Sequence, residues 1–566
     1  MRTFEPKIGI KQIGLLGCTY CIIFLLFTWP LATDFTGSIV GNQDGEVYGI
    51  MWNVYIFKNN PSDFLRLHTS EVFAPLGTSL FLHSTTPLLS IFSSFFSNPI
   101  LGVNLFIALN FILSGIGGFL LCRRYVSSTV LCVISGFLFA FSPYKMLRFE
   151  EHYNLILTAP VPFFILFFTR AFEFENVPFF IIKSKRDFYL CLLMGILALL
   201  SDYIIVLTIF FFCLLYFSWF KVKKYLAFNR KTFLIIAAFF VLGHIAVHLL
   251  KIILQEHSVF YWGCDLLSLV IPVNSYFFSQ FIGSGYIEHI HHNSFEYVTY
   301  LGVTLIVLAI GSLFIKKPLQ VSSEVNAFGV VAVILVILTM PQFKVNGVLL
   351  NYNPFSIVHF TPFIKNFRCP ARYIMPVYLL LSIFAFYHLE KVSNVQIHIL
   401  VAVLFLLEFF PMQVKMTKLD VYPSVYSSLK KLEGRTLLSV PFGVRDGMDQ
   451  QGIFHTPDHY YQTIHQKKII GGYISRVDPE VKKLYSEDKV MRNLLNLQID
   501  SSYLPEEISS YELARFFNTF QPEIILITPL YKNSIVEDYL RKISEGKVLE
   551  EVEEGQHLIL RLKKSL

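Results

Sequence analysis

Charge is scarce in this chain. Only 15% of its 566 residues are Asp, Glu, Lys or Arg, against 54% hydrophobic residues and a mean hydropathy of +0.55. Soluble globular domains carry about 25% charged residues, so a purely water-soluble architecture is excluded. Cysteine is sparse too, with eight residues in all. Cys18 and Cys21 form a CxxC inside an apolar run with no second pair nearby, which reads as a packed helix rather than metal or redox chemistry. Cys264 and Cys369 fall in segments expected outside the membrane, where a disulfide between them is an option. Missing altogether, in any credible context, are a GxxxxGK[ST] phosphate loop, a Rossmann glycine pattern, HExxH and GxSxG. Their absence argues against an ATP-driven pump and against soluble nucleotide-sugar chemistry, and leaves metal-dependent chemistry open. There is no internal repeat and no low-complexity tract.

Apolar runs are what the chain has in abundance. A hydrocarbon layer takes roughly 20 residues of helix, with a range of about 17 to 25. A first run at 13–29 lacks a small-x-small cleavage site and reads as an uncleaved signal anchor, with Arg2, Lys7 and Lys11 on the cytoplasmic side. Further runs lie at 100–121, 127–143, 155–172, 188–200, 204–220, 232–253, 297–315, 326–341, 373–389 and 396–413. Together they make about eleven transmembrane helices. The basic connections "CRRYV", "KSKRD", "KVKKY" and "KK" at 316–317, with the "HLEK" that ends at Lys391, all fall on one side under the positive-inside rule. The N-terminus is then cytoplasmic and the C-terminus outside. The net charge of +7 needs no nucleic acid, because topology and anionic lipid on the inner leaflet account for it.

Three outer segments exceed what connectors need: 31–99, 254–296 and 342–371. In the first, Val47, Ile50, Met51, Val54 and Phe57 recur at helical spacing, as in an amphipathic helix resting in the outer interface. Beyond it, "FAPLGTSLFLHSTTPLLSIF" mixes Pro and Gly with short apolar stretches and suggests a re-entrant or surface-hugging path. The division expected is therefore a membrane domain over 1–413, including the large loop 31–99, and a soluble domain over 414–566. That tail alternates strand-like runs ("RTLLSV", "PEIILITP", "HLILRL") with helix-like ones ("EVKKLYSEDKVMRNLLNL", "SIVEDYLRKI"), which reads as a small α/β domain outside the membrane.

"GNQDGEVYGIMWN", residues 41–53, sets Asp44 and Glu46 just ahead of the expected interfacial helix. Two readings of Asp44 stand side by side. It can act on a substrate whose reactive head lies at the lipid boundary, or it can N-cap the helix. "EHIHHN" would place His289 and His291 on one face of an extended segment, but no partner spacing supports a metal there, and loop polarity is the simpler reading. His455 and His459 are four apart, yet Pro457 makes their stretch a poor helix interior.

Seven motifs in order extend over most of the chain: "WPLA" (29–32), "GNQDGEVYGIMWN", "FAPLGTSLF" (73–81), "FSPYKMLRFEEHYNLI" (141–156), "YLGVTLIVLAIGSL" (300–313), "FRCPARYIMPVYLLL" (367–381) and "HQKKIIGGYISR" (465–476). The series resembles a group of bacterial multispanning proteins classed with the GT-C glycosyltransferases. The resemblance implies a polytopic α-helical, GT-C-like membrane fold in a bacterial inner membrane. It also implies a hexosyl- or pentosyltransferase drawing on a polyprenyl-phosphate-linked sugar, with a glycan, lipid or protein acceptor outside.

The resemblance also implies roles. Asp44 takes the position of the acidic residue that activates the acceptor. Arg368, Arg372 and Arg148, with Lys145, are candidates for the donor phosphate, since guanidinium forks match phosphate oxygens; interfacial snorkelling is the alternative. Glu150, Glu151 and Asp202 are candidates for a second acidic position that would hold acceptor or a divalent metal, and Glu46 and His152 for accessory contacts. The rival classes are a transporter or flippase for lipid-linked glycans and a non-catalytic GT-C scaffold. A transporter would set ionisable groups in mid-span; His244, His248 and Lys251 near one span end, and Glu408 within the last span, are the features that favour it.

Overall fold

A computed structural model describes the chain except residues 1–7, 43–45, 176, 178, 224–240, 244, 248, 251–262, 293, 316–321, 362–368, 448 and 564–566. It divides into two compact units. One comprises 1–33 with 105–415, the other 34–104 with 416–566.

The first unit is helical. Among the described residues, six helices are long and apolar enough to cross a bilayer: Ile10–Phe27, Pro99–Arg123, Thr129–Phe149, Tyr153–Ala171, Tyr203–Val222 and Pro370–Leu389. Val303–Phe314, Ser323–Leu338 and Val395–Phe409 are shorter apolar helices, and Lys185–Ser201 occupies the expected 188–200 run. The run 232–253 lies largely outside the described residues, as do His244, His248 and Lys251. The chain is a polytopic helical membrane protein.

Packing among these helices rests on small residues. Helix Ile10–Phe27 buries Leu16, Tyr20, Phe24 and Phe27, spaced four, four and three apart, so one stripe faces its neighbours. The Tyr20 hydroxyl reaches in to donate to the Val133 carbonyl at 3.0 Å. It can do so because Gly115 and Gly136 leave room: a Cβ at Gly136 would stand 2.2 Å from the Tyr20 hydroxyl oxygen. Cys264 and Cys369 are buried free thiols here, not a disulfide.

The second unit joins the first long loop to the tail. Ser38–Val40 pairs antiparallel with Met416–Lys418. The main sheet has five strands in the order Lys468–Ile469, Thr436–Val440, Ile524–Ile527, His557–Leu562, Val548–Glu554. The first three run parallel and the last two add antiparallel. The three strand-like runs read from sequence are thus three adjacent central strands. The helix-like runs form Pro479–Glu487 and Lys489–Ile499, started by Asp478 and Asp488 as N-caps, and Ile535–Ile543, started by Ser534.

Four expectations change. The loop 31–99 does not belong with the membrane helices as a unit, because its apolar residues Trp52, Val72 and Phe73 share one core with Val440, Ile469 and Ile474 of the tail. The helix Val47–Asn59 exists, but it is not an interfacial helix with one wet face. Val47, Tyr48, Ile50, Met51, Trp52, Asn53, Val54 and Ile56 are all buried, covered by residues some 400 positions away such as Gln462, which accepts from the Trp52 indole at 2.7 Å. Nor is "FAPLGTSLF" re-entrant, since the Phe73 and Ala74 amides donate to the carbonyls of Gly471 and Ile469. "EHIHHN" is not extended but closes the helix Ser284–His291, so residues two apart diverge: His291 is buried and His289 exposed.

Candidate functional site

Segments at the ends of three expected spans supply the site. "FSPYKMLRFEEHYN" folds as two short helices, Pro143–Phe149 and Tyr153–Ile156, the first capped by Ser142 with Pro143 in its first turn. Arg148 sits in the last turn of the first helix. Arg372 lies in the 3₁₀ turn Pro370–Ile374, and Glu296 in the 3₁₀ turn Phe295–Tyr297.

These three side chains meet. Arg148 Nη2 lies 3.3 Å from Glu296 Oε2, and Arg372 closes a two-pronged pair with the same carboxylate, Nε donating to Oε2 at 3.2 Å and Nη2 to Oε1. His152 Nε2 stands 3.3 Å from Oε1. Arg148 is fully buried, with its guanidinium 3.9 Å from the centre of the Tyr144 ring, and its Nε has no hydrogen-bond partner among the described residues. Burial by itself would raise the Glu296 carboxyl, but Arg372, His152 and Arg148 outweigh it and hold Glu296 well below the ordinary carboxylate range. Two guanidinium charges share one carboxylate. The cluster carries one positive charge in excess before His152 is counted.

Beside the cluster opens a cleft of about 280 Å³. Glu150, Glu151, Glu288, His291, Leu147 and Phe295 contribute to its lining. Glu150 accepts from the Lys415 amide at 3.2 Å. Burial raises its carboxyl, as does Glu151, while the Lys415 contact works the other way.

The other expected site residues disperse. Lys145 is buried and donates to Asn110, Ser114 and Thr158 at 3.0–3.2 Å, all neutral acceptors. Asp202 caps the helix Tyr203–Val222, accepting from the Ile204 amide at 2.7 Å and from Asn154 at 2.8 Å. Glu46 is the N-cap residue of Val47–Asn59 and makes no side-chain cap there. Asp44 and Arg368 lie outside the described residues. Among the described residues no three His, Cys, Asp or Glu side chains group as a metal site.

Glu296 is the residue that reading the sequence missed. Its signal was indirect: two arginines bound for a low-dielectric region require an acid, and Glu296 is the carboxylate just ahead of "YVTYLGVTL". In the second unit, His83, Asn53 and Ser475 were missed as well. His83 Nδ1 accepts from the Ser475 amide at 3.2 Å, and Nε2 lies 3.1 Å from Asn53 Oδ1. His459 stacks on Trp52 with ring centres 5.0 Å apart. Burial lowers His83 to about 4 and His459 to about 3, so both are neutral packing groups at physiological pH.

Residues 15–413 match the family described as Domain of unknown function (DUF6311). The chain belongs to the DUF6311 family. The match ends at the last apolar helix, and the tail lies beyond it. Among solved structures, this DUF6311 chain is similar to arabinofuranosyltransferase AftD from Mycobacteria, with a TM-score of 0.53 and 13% identity over 98% of this chain and 42% of that one. The DUF6311 chain thus spans under half the length of that protein. The oligosaccharyltransferase of Archaeoglobus fulgidus (TM-score 0.45, 11% identity, 91% of this chain and 68% of that one) and ArnT from Cupriavidus metallidurans (0.36, 11%, 97% of each) are more distant in shape. No curated protein matches the sequence. The likeness to AftD is one of fold, and the fold is GT-C-like.

Proposed function

We propose that this DUF6311 chain is an integral membrane glycosyltransferase of the bacterial inner membrane. It takes a hexosyl or pentosyl group from a polyprenyl-phosphate-linked donor and passes it to a glycan, lipid or protein on the outer face. The N-terminus is cytoplasmic and the tail outside. The observation that carries the proposal is the convergence of Arg148 and Arg372, from separate spans, on the single carboxylate of Glu296. A buried site with positive charge in excess suits a lipid-linked phosphate, and the cleft beside it leaves room for a sugar. The GT-C-like fold supports the same reading.

In the reaction proposed, the acceptor hydroxyl oxygen bonds to the anomeric carbon as the bond from that carbon to the phosphate oxygen breaks. The acceptor proton passes to Asp44, and polyprenyl phosphate leaves with the bonding electron pair. Arg372 and Arg148 receive the developing phosphate charge, Arg368 assists, and His152 orients Glu296. Lys145 and Asp202 take scaffold roles, since their polar atoms already serve neighbours within the helical unit.

The test compares surface glycans and glycolipids by mass spectrometry in a deletion strain carrying wild type or Asp44→Asn, with equal protein in the membrane. The expected result is a sugar lost on deletion, restored by wild type and not by Asp44→Asn. An unchanged glycan profile on deletion overturns the transferase reading; full restoration by the variant overturns Asp44 as base.

A further inference from the structure

The connection between the helices Tyr153–Ala171 and Lys185–Ser201 is built more firmly than a connector needs. Phe172–Glu173 pairs antiparallel with Ile181–Ile182, and the Lys183 amide donates to the Ala171 carbonyl at 2.7 Å, so the segment is a hairpin. Lys221, from the last turn of Tyr203–Val222, donates to the Phe174 and Val177 carbonyls at 3.4 and 2.8 Å and ties the hairpin down. The Phe180 ring meets the Phe172 ring edge-on, with centres 5.3 Å apart. Yet Phe179, Phe180, Ile181 and Ile182 are 72, 52, 52 and 44% exposed. Consecutive large apolar residues that are held in order and left uncovered mark a surface that something else covers.

The helix that follows fixes the depth of this surface. Along Lys185–Ser201 the exposed large apolar residues are Tyr189, Leu192, Leu193, Ile196 and Leu199, which share one face, while Cys191, Ala198 and Ser201 are buried on the other. In a polytopic membrane chain such a face meets lipid tails. Lys185 and Arg186 lie about one turn, roughly 5 Å along the axis, before Tyr189, where tails give way to headgroups. Of the basic residues gathered here, Lys183 pairs with Glu173 at 3.2 Å, Lys223 with Glu175 at 2.6 Å, and Lys221 serves the two carbonyls. Lys185 and Arg186 are exposed and make no ion pair with any described residue. The helix itself gives no reason for them: Ser184 caps it, Asp187 supplies the acid of its first turn, and cations are unfavourable at that end of the dipole. Their charge is free for an anion outside the protein.

We propose that residues 179–182 and the first two turns of Lys185–Ser201 form a binding surface for an anionic phospholipid. Lys185 and Arg186 hold its phosphate, its acyl chains lie along Tyr189, Leu192 and Leu193, and the apolar residues of the hairpin enter the boundary between headgroups and tails beside it. A zwitterionic lipid offers a phosphate too, but its own ammonium group is repelled by the two cations, so the surface selects a lipid with net negative charge. The proposal rests on the helical membrane unit alone and is independent of the transferase reading.

The experiment places the full chain carrying Phe180→Trp in vesicles of phosphatidylcholine and phosphatidylglycerol, with one of the two lipids brominated on its acyl chains at a time. Quenching of the added indole is read as the difference from wild type. Both brominated lipids are expected to quench it, with phosphatidylglycerol favoured. A cation near an anionic headgroup is worth about a fivefold preference, so adding Lys185→Gln/Arg186→Gln should lower that preference by about tenfold or more. Quenching itself, and thermal melting in pure phosphatidylcholine, should stay as they were. An indole that neither lipid quenches overturns the proposal, because water or another protein then covers the hairpin. Equal quenching by the two lipids, or a preference that survives the double variant, overturns it as well, since Lys185 and Arg186 then hold no anionic lipid.

Discussion

Glu296 is where the chemistry of single residues is most exposed to test. It is 4% exposed and is shared by Arg148 and Arg372, so its removal strands the fully buried Arg148 guanidinium together with the mostly buried one of Arg372. Breaking a buried pair by deleting one partner costs about 3–5 kcal/mol. Glu296→Ala is therefore expected to lower the melting temperature of the purified full chain sharply. Arg372→Ala, which leaves Glu296 paired with Arg148, should cost less. Thermal denaturation in nanodiscs orders the two variants; equal losses would mean that Arg148 does not hold the carboxylate. Of this cluster, Arg148, Arg372 and His152 were legible as functional candidates because they stand in "FSPYKMLRFEEHYNLI" and "FRCPARYIMPVYLLL", two of the motifs that carry the family resemblance. Glu296 was not, since its importance comes from the two arginines that reach it, 148 and 76 positions away.

At the scale of the element, the helix Val303–Phe314 explains the acidic residue that favoured a transporter. Its N-cap is Gly302, which has no side chain to satisfy the first amides. Glu408 does so from the last apolar helix. Oε1 accepts from the Val303 amide at 2.5 Å and the Tyr300 hydroxyl at 2.7 Å, and Oε2 accepts from the Thr304 amide at 3.2 Å. The charge also complements the positive end of the helix. Gly302 itself has a φ of +90°, and a Cβ there would stand 2.8 Å from the Phe409 ring, so the turn requires glycine. Glu408→Ala is expected to cost on the order of 3 kcal/mol by leaving these donors unmatched. Its glycan output, normalised to protein in the membrane, should stay near wild type, as quantitative mass spectrometry beside immunoblotting would register. A loss of output at full protein level would return Glu408 to the active machinery. Helix existence was readable from apolar length; the identity of a cap donated by another helix was not, because no local pattern encodes it.

The whole molecule differs from the two-part division in the sequence, one membrane domain followed by one soluble domain. Residues 34–104 and 416–566 form one unit with a shared core, and the strand Ser38–Val40 finds its partner only at Met416–Lys418. A chain ending at Lys415 therefore exposes Trp52, Val72 and Phe73, which are fully buried in the intact protein. Such a truncation is expected to accumulate in membranes to a small fraction of the wild-type level and to be cleaved within 34–104 under limited proteolysis. An intact, protease-resistant loop in the truncated chain would mean that it folds without the tail.

Some of this was determined by sequence alone. Long apolar runs require membrane helices, because no other local structure satisfies the backbone in hydrocarbon. Three short apolar runs in the tail, bounded by turn signals, specified three strands, a signal that acts within a few residues. Only the tertiary structure decided what those elements meet. Helical spacing over Val47–Phe57 said that a helix would form, but not whether lipid or protein would cover it, since apolar side chains gain by leaving water in either case. Likewise, "RFEEHYN" and "FRCPARY" declared their charges, while the carboxylate that joins Arg148 to Arg372 was chosen by the packing of three separate chain segments.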